Sequence, residues 1–116
     1  MDSILNSVKI QLGVSEEYTQ FDPQIIMCIN TALNTLTEEG IGPDGGFKIT
    51  GASETYQDFI GDDKLLEQVK TYLFLRTKLL FDPPLSSFVM EAYKEQMAEI
   101  LFRMNICVDP ERTFLR

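Results

Sequence analysis

The residues of this chain that could do chemistry are few, and their spacing argues against catalysis. Glu91, Glu95 and Glu99 recur at every fourth position, which places them in one row along a helix. Catalysis by paired carboxylates needs groups that converge in a pocket and have separated pKa values, and a single row offers neither. The chain has no histidine and no glycine-rich phosphate loop. The sequence therefore predicts a protein that is not an enzyme and holds no cofactor.

Thiol and metal chemistry receive little support either. Cys28 and Cys107 lie far apart and follow no CxxC spacing. The favoured interpretation is two small apolar residues in a reducing compartment, while a disulfide or a metal role stays open. The Asp-Gly-Gly turn at residues 44–46 superficially resembles part of a calcium loop. It lacks the alternating oxygen ligands and the terminal glutamate of such a loop, so we expect no metal site.

Hydrophobic periodicity predicts an all-α fold of four to five helices. The expected helices cover residues 3–12, 22–39, 53–59, 63–81 and 86–105. Asp22 and Asp62 are the predicted N-caps of the second and fourth. Residues 40–53 contain five glycines and a proline and predict a long loop, mobile or ordered by a partner, with a possible short β arm at 47–50. We expect one helical domain, residues 1–107, and a C-terminal tail, residues 108–116.

The clearest local signal is the sequence LLFDPPLSSF, which predicts the turn of a helical hairpin. Asp82-Pro83-Pro84 must end a helix, because proline has no N–H to donate and disfavours helical geometry in the residue before it. Ser86 or Ser87 can then cap the next helix. Leu85 and Met90 have the spacing of a hydrophobic staple.

Both helices of this hairpin carry apolar residues on two sides. A monomer of 116 residues has one core to fill, so a second apolar side predicts contact with another subunit. Arg76 falls inside an apolar arc, and two explanations stay open for it: a paired residue at the rim of the fold, or an inter-subunit contact. The residues predicted to form a subunit interface are Phe74, Arg76, Phe81, Phe88, Glu91, Glu95, Glu99 and Phe102.

The net charge of −8 is unevenly distributed. Residues 1–60 hold nine acidic residues and two lysines, a balance of −7, and residues 61–116 hold nine acidic and eight basic residues, a balance of −1. Such a chain is a poor general binder of nucleic acid, because phosphate binding depends on Lys and Arg. Acidic surface serves solubility, or lines a passage through which DNA slides without sticking. No apolar run is long enough to predict a membrane span.

Three segments resemble the head–tail connector (adaptor) proteins of long-tailed bacteriophages. They are ILNSVKIQLGV, FDPQIIMCINTALNTLTEEGIGP and LLFDPPLSSF, and the resemblance extends over roughly residues 3 to 105. It implies a subunit of a homo-oligomeric ring that follows the portal's twelvefold symmetry, in the neck of the virion after assembly in the host cytoplasm. Its implied partners are the portal protein and a tail-side stopper protein, and DNA would pass through the channel without specific binding.

The resemblance also implies that a C-terminal segment docks on the portal. In this chain the candidate docking residues are Arg112, Phe114, Leu115 and Arg116. An alternative function from another class is a small acidic regulatory or inhibitor protein of a phage, acting as a DNA mimic or as an adaptor for a host enzyme. A DNA mimic should present its carboxylates in a dense, paired array, whereas the acidic residues here are scattered.

Overall fold

Five α-helices make up most of the structure, a computed structural model that describes residues 3–61 and 64–108. The helices are α1 (Ile4–Leu12), α2 (Asp22–Glu38), α3 (Tyr56–Ile60), α4 (Leu66–Phe81) and α5 (Ser87–Val108). The predicted all-α fold is confirmed. Within the described residues, the possible β arm at 47–50 forms no strand. An isolated antiparallel bridge pairs Ser3 with Thr55 elsewhere in the structure.

Local capping explains where several helices begin. The Ser3 hydroxyl accepts a hydrogen bond from the Asn6 N–H at the start of α1. Thr55 and Asp58 form a reciprocal capping box at the start of α3. The predicted cap of α2 is wrong by one position, because Asp22 is already helical and Phe21 occupies the cap without a side-chain bond. The predicted cap Asp62 lies outside the described residues, and α4 begins at Leu66.

The central element is α4, which packs against each of the other four helices. Its buried residues are Val69, Tyr72, Leu73, Leu75 and Thr77. Because neighbours cover α4 on several sides, its apolar residues do not form a single stripe. Leu80, in the last turn of α4, is exposed, whereas Leu75 is buried.

A buried ion pair joins α1 to the start of α2. Lys9 is only 1% exposed, and its Nζ lies 2.8 Å from Oδ1 of Asp22. The same ammonium group donates a hydrogen bond of 3.0 Å to the carbonyl oxygen of Glu16. The Asp22 carboxylate thus compensates a buried charge instead of capping its own helix, because an unpaired buried ammonium would be costly.

The glycine-rich loop between α2 and α3 is anchored to the body of the subunit. The side-chain amide of Asn30 accepts a hydrogen bond from the Ile49 N–H at 2.7 Å and donates one to the Ile49 carbonyl at 3.0 Å. Ile41 and Ile49 are buried, and the ring of Phe47 lies 5.4 Å from that of Phe59. These contacts differ from the expectation of a mobile or partner-ordered loop, because the subunit supplies the ordering contacts itself.

Glu54 holds the end of this loop. Its carboxylate accepts hydrogen bonds from the Thr50 hydroxyl at 2.8 Å and from the backbone N–H groups of Thr50 and Gly51 at 3.0 and 3.4 Å. Burial alone would raise the pKa of this carboxyl, but the hydrogen bonds outweigh it and lower the pKa below its ordinary value.

The ion pair between Lys9 and Asp22 predicts unequal effects of its two partners. We expect Asp22→Asn to lower the free energy of unfolding by about 3 kcal/mol, because it leaves the Lys9 ammonium buried without a carboxylate. Lys9→Met removes the buried charge itself and should cost less. The double variant should be more stable than Asp22→Asn alone. Urea unfolding followed by circular dichroism measures all three, and strictly additive losses would contradict the coupling.

Two glycines of the loop form a matched pair for testing its packing. Gly42 has a φ of +89°, and a Cβ there would lie 2.4 Å from the buried ring of Phe59. We expect Gly42→Ala to lower the free energy of unfolding by about 2 kcal/mol or more, from backbone strain and overpacking together. Gly45 faces open space, so Gly45→Ala should change it by less than about 0.5 kcal/mol. Equal effects in thermal or urea unfolding would show that the loop is not packed in this way.

Candidate assembly surfaces

An ion pair and two prolines define the C-terminal end of α4. The helix ends at Phe81, and the N–H of Asp82 makes a last helical hydrogen bond to the Lys78 carbonyl. The Lys78 ammonium lies 2.8 Å from the Asp82 carboxylate, which stabilises the last turn. Residues 83 and 84 are prolines and cannot continue the helix. The predicted break between the two long helices is confirmed.

The start of α5 settles which serine is the cap. The hydroxyl of Ser86 accepts a hydrogen bond from the Val89 N–H at 3.4 Å, and the Ser86 carbonyl accepts one from the Met90 N–H at 3.0 Å. The predicted staple between Leu85 and Met90 is wrong, because Leu85 is fully exposed. The turn therefore presents Leu85 to its surroundings instead of using it to brace the helix.

Four exposed apolar residues surround this turn and form what we call the corner surface. They are Leu80, Leu85, Phe88 and Val89. Phe88 is 84% exposed, and no charged residue occurs between residues 83 and 90. The charged residues beside it, Lys78 and Asp82, pair with each other. Exposed apolar side chains close together are typical of a surface that another molecule covers.

Phe81, predicted to belong to an interface, lies mostly inside the subunit. It packs against the core, and its ring is 5.5 Å from that of Phe21 in an edge-to-face arrangement. Phe21 in turn lies 5.5 Å from Tyr18. The three rings connect the loop before α2 to the end of α4, so Phe81 has a structural role that the sequence pattern did not indicate.

The remaining candidates on α4 are also partly covered by the subunit. Phe74 is half-buried, and Arg76, half-buried as well, donates a hydrogen bond of 3.0 Å to the Tyr72 hydroxyl. Within the described residues Arg76 forms no ion pair. Because neighbouring helices cover α4 on several sides, its second apolar side is no longer evidence for a partner. That inference now depends on α5.

The outer side of α5 is exposed and carries mixed charge. Glu91, Glu95 and Glu99 all lie on the surface, as predicted for one row. Glu91 lies 3.6 Å from the Lys94 ammonium, and Glu99 lies 2.6 Å from the Arg103 guanidinium. The predicted acidic row is therefore interleaved with basic residues and is not a strip of negative charge.

The two predicted phenylalanines of α5 are both exposed. Phe88 belongs to the corner surface, and Phe102 lies three to four turns further along the helix. Met97 and Ile100, which lie between them in the chain, pack against the core, and Met104, two residues after Phe102, is buried. The C-terminal half of α5 therefore faces the core through these residues, and the exposed rings of Phe88 and Phe102 lie off that side.

A second exposed surface escaped the sequence analysis. The residues of α2 that point away from the core are Gln24, Met27, Thr31 and Asn34, here called the α2 outer face. Met27 is 69% exposed, and no charged residue occurs from position 23 to position 37. A solvent-facing helix without charge over four turns is unusual, since exposed surfaces ordinarily mix charges of both signs. The long uncharged run was visible in the sequence and could have indicated this face.

The α2 outer face borders a shallow depression beside the glycine-rich loop. It is lined by Asn30, Asn34, Gly45, Gly46, Phe47 and Lys48. The polar groups there are amides and one lysine, an arrangement suited to binding rather than to acid–base chemistry.

Neither a metal centre nor a membrane segment emerges from the described part of the chain. Residues 3–61 and 64–108 contain no group of three or more His, Cys, Asp or Glu residues arranged to hold a metal ion. In the same ranges, no helix is long and apolar enough to cross a membrane. The predicted portal-docking residues Arg112, Phe114, Leu115 and Arg116 lie outside the described residues.

An all-α subunit with exposed apolar residues at the corner and an uncharged outer face on α2 has the features of an assembly protein. A comparison of the chain with models of protein families identifies the class, because the family model described as phage connector protein matches residues 4–111. The chain therefore belongs to the phage connector protein family, a family of structural proteins. Neither the curated proteins nor the solved structures gave a significant match.

The allocation of phenylalanines to core and surface is directly testable. We expect Phe81→Ala to lower the free energy of unfolding by about 2–3 kcal/mol, because Phe81 packs on the core and on Phe21. Phe88→Ala should change it by less than about 0.5 kcal/mol, because the ring is exposed. Chemical unfolding of the two variants measures the difference. A large loss for Phe88→Ala would mean that this ring serves the monomer's own core.

Proposed function

We infer that this chain is a ring-forming head–tail connector subunit of a tailed phage. It docks beneath the portal, extends the channel through which DNA passes, and joins the head to tail-side proteins. The observation that carries this proposal is the family match over residues 4–111, nearly the whole chain. The mechanism is binding and assembly, without covalent chemistry.

The surface of the subunit supports a role in assembly. A ring of identical subunits needs two different surfaces on each copy, because each subunit meets its neighbours head to tail. Two exposed surfaces on different elements, the corner surface and the α2 outer face, are available for such contacts. Exposed apolar residues such as Leu85 and Phe88 would be unfavourable if they stayed in water in the assembled particle.

The charge of the subunit suits a channel that DNA traverses. A net charge of −8 gives little affinity for phosphates, so DNA would pass without being held. The alternative of a DNA mimic gains no support from α5, where Lys94 and Arg103 neutralise part of the acidic row. The described surfaces therefore favour the connector over the regulatory alternative.

Disruption of the gene tests the proposed function. In a phage or prophage that encodes this chain, we expect electron microscopy of lysates to show separate heads and finished tails, with heads that lose their DNA. A wild-type copy supplied in trans should restore joined particles. Intact tailed particles without the protein would contradict the connector function and favour the regulatory alternative.

Docking through the C-terminal tail is a separate prediction. Removing residues 108–116 should abolish binding to the portal protein in a pull-down, because it removes Phe114 and Leu115 as apolar anchors and Arg112 and Arg116 as charged partners. A variant with only the two arginines changed to glutamine should bind more weakly than wild type. Portal binding unchanged by the deletion would remove the tail from the docking contact.

A further inference from the structure

A trough runs along one side of α5 towards the C-terminal end of that helix. Two adjoining depressions form it, one that includes Tyr72 and one that includes Glu39. The α5 residues that line it recur at helical spacing and so share one face: Lys94, Met97, Ala98, Leu101, Phe102 and Asn105. Both depressions contain Ala98 and Leu101, so the trough is continuous and mainly apolar. It ends about one helical turn before Val108, the last residue of α5.

Two groups that line this trough lack a partner of their own kind in the subunit. The ring of Phe102 is 49% exposed, and in residues 3–61 and 64–108 it contacts no other aromatic ring. The half-buried Glu39 carboxylate accepts a hydrogen bond of 2.5 Å from the Asn105 amide, which carries no charge.

No lysine or arginine of the described ranges forms an ion pair with Glu39, although four of the other acidic groups on the helices have such a partner within 4.0 Å. A partly buried carboxylate is stabilised by a cation placed beside it. The trough therefore suits a segment that carries an arginine close to an apolar side chain.

The C-terminal tail, residues 109–116, contains such a segment and starts beside the trough. Arg112 is followed two positions later by Phe114. Leu101 lies seven residues before Val108, which is about 10 Å along the helix. An extended chain spans about 3.3 Å per residue, so the tail can spend residues 109–111 on reversing its direction and still bring Phe114 level with Leu101. At that reach, Arg112 comes level with the end of the trough where Glu39 lies.

We propose that the C-terminal tail of this chain folds back along α5 and occupies the trough of its own subunit. Phe114 packs against the exposed ring of Phe102. Arg112 pairs with the Glu39 carboxylate. The tail needs no second copy for this contact, because its attachment to Val108 gives it a high effective concentration at the trough.

The consequence for assembly rests on the proposed connector function. The tail residues assigned to portal docking are covered in the unassembled subunit, so the portal and the trough compete for Phe114. The apparent affinity for the portal is then reduced by the fraction of subunits whose tail is undocked. Binding to the portal should in turn uncover Phe102.

Tryptophan fluorescence tests the occupation of the trough in the full-length chain. The sequence has no tryptophan, so Phe102→Trp places a single fluorophore there. We expect the quenching constant for acrylamide to rise several-fold when Phe114→Ser is added, because the indole is then uncovered. Arg112→Gln should raise it by less, and Thr113→Ala, the matched tail control, should leave it unchanged. Circular dichroism checks that each variant is folded.

Phe88→Trp provides the control at the other end of α5. Phe88 is 84% exposed and lies twenty residues before Val108, about 30 Å along the helix and beyond the reach of the tail. Phe114→Ser should therefore not change quenching at position 88. An equal rise at positions 88 and 102 would reflect a general loosening of the subunit and overturn the proposal. Quenching at position 102 that is independent of Phe114 would overturn it as well.

Dilution distinguishes the subunit's own tail from the tail of another copy. Protection of the tryptophan at position 102 should persist at concentrations where sedimentation velocity shows only monomers. Protection that disappears on dilution would place the tail in a neighbour's trough and overturn the proposal.

Portal binding separates this inference from the proposed function, because the quenching experiment uses the isolated chain. Adding portal protein to the Phe102→Trp chain should raise the quenching constant to that of the Phe114→Ser variant. Protection by Phe114, combined with portal binding that survives removal of residues 108–116, would support the trough contact and contradict docking through the tail. Portal binding lost on that removal, without protection by Phe114, would overturn the trough contact and leave the docking prediction standing.

Discussion

The structure depends on the burial of α4 by the other four helices. A small domain has room for one core, and here a single helix runs through it and receives side chains from every other helix. Tyr72 and Leu73 are buried near the middle of α4, and α5 reaches the same core through Met104. The other helices are positioned by their contact with α4, so the exposed surfaces are the sides that this arrangement leaves uncovered.

Polar contacts fix the relative positions of helices and loops that apolar packing alone would not determine. Lys9 pairs with Asp22 between α1 and α2, and the Asn30 amide holds the backbone of the glycine-rich loop. At the far end, the buried amide of Asn105 donates a hydrogen bond to the Glu39 carboxylate and so ties α5 to the end of α2. Each contact joins elements that are distant in sequence or separated by a loop, which limits how the helices can shift relative to one another.

Some local features were predictable from the sequence, although the Asp22 cap and the Leu85–Met90 staple were not, and features that depend on distant partners were missed. The Pro-Pro break follows from backbone chemistry within a few residues and was predicted correctly, and the same chemistry narrowed the cap of α5 to Ser86 or Ser87. Phe81 packs against Phe21, which lies sixty residues earlier in the chain. Lys9 can be buried because the Asp22 carboxylate, thirteen residues later, pairs with its ammonium group. The α2 outer face was not predicted, because apolar periodicity indicates only the buried side of a helix. The property that marks this face is the lack of charged residues from position 23 to position 37.

The two prolines of the corner have a consequence for the energetics of any contact made there. Proline restricts the backbone in the unbound subunit as well as in the bound one, so a partner does not have to order a flexible turn before Leu85 and Phe88 can pack against it. Less conformational entropy is lost on association, and more of the free energy of burying these side chains remains to hold the contact.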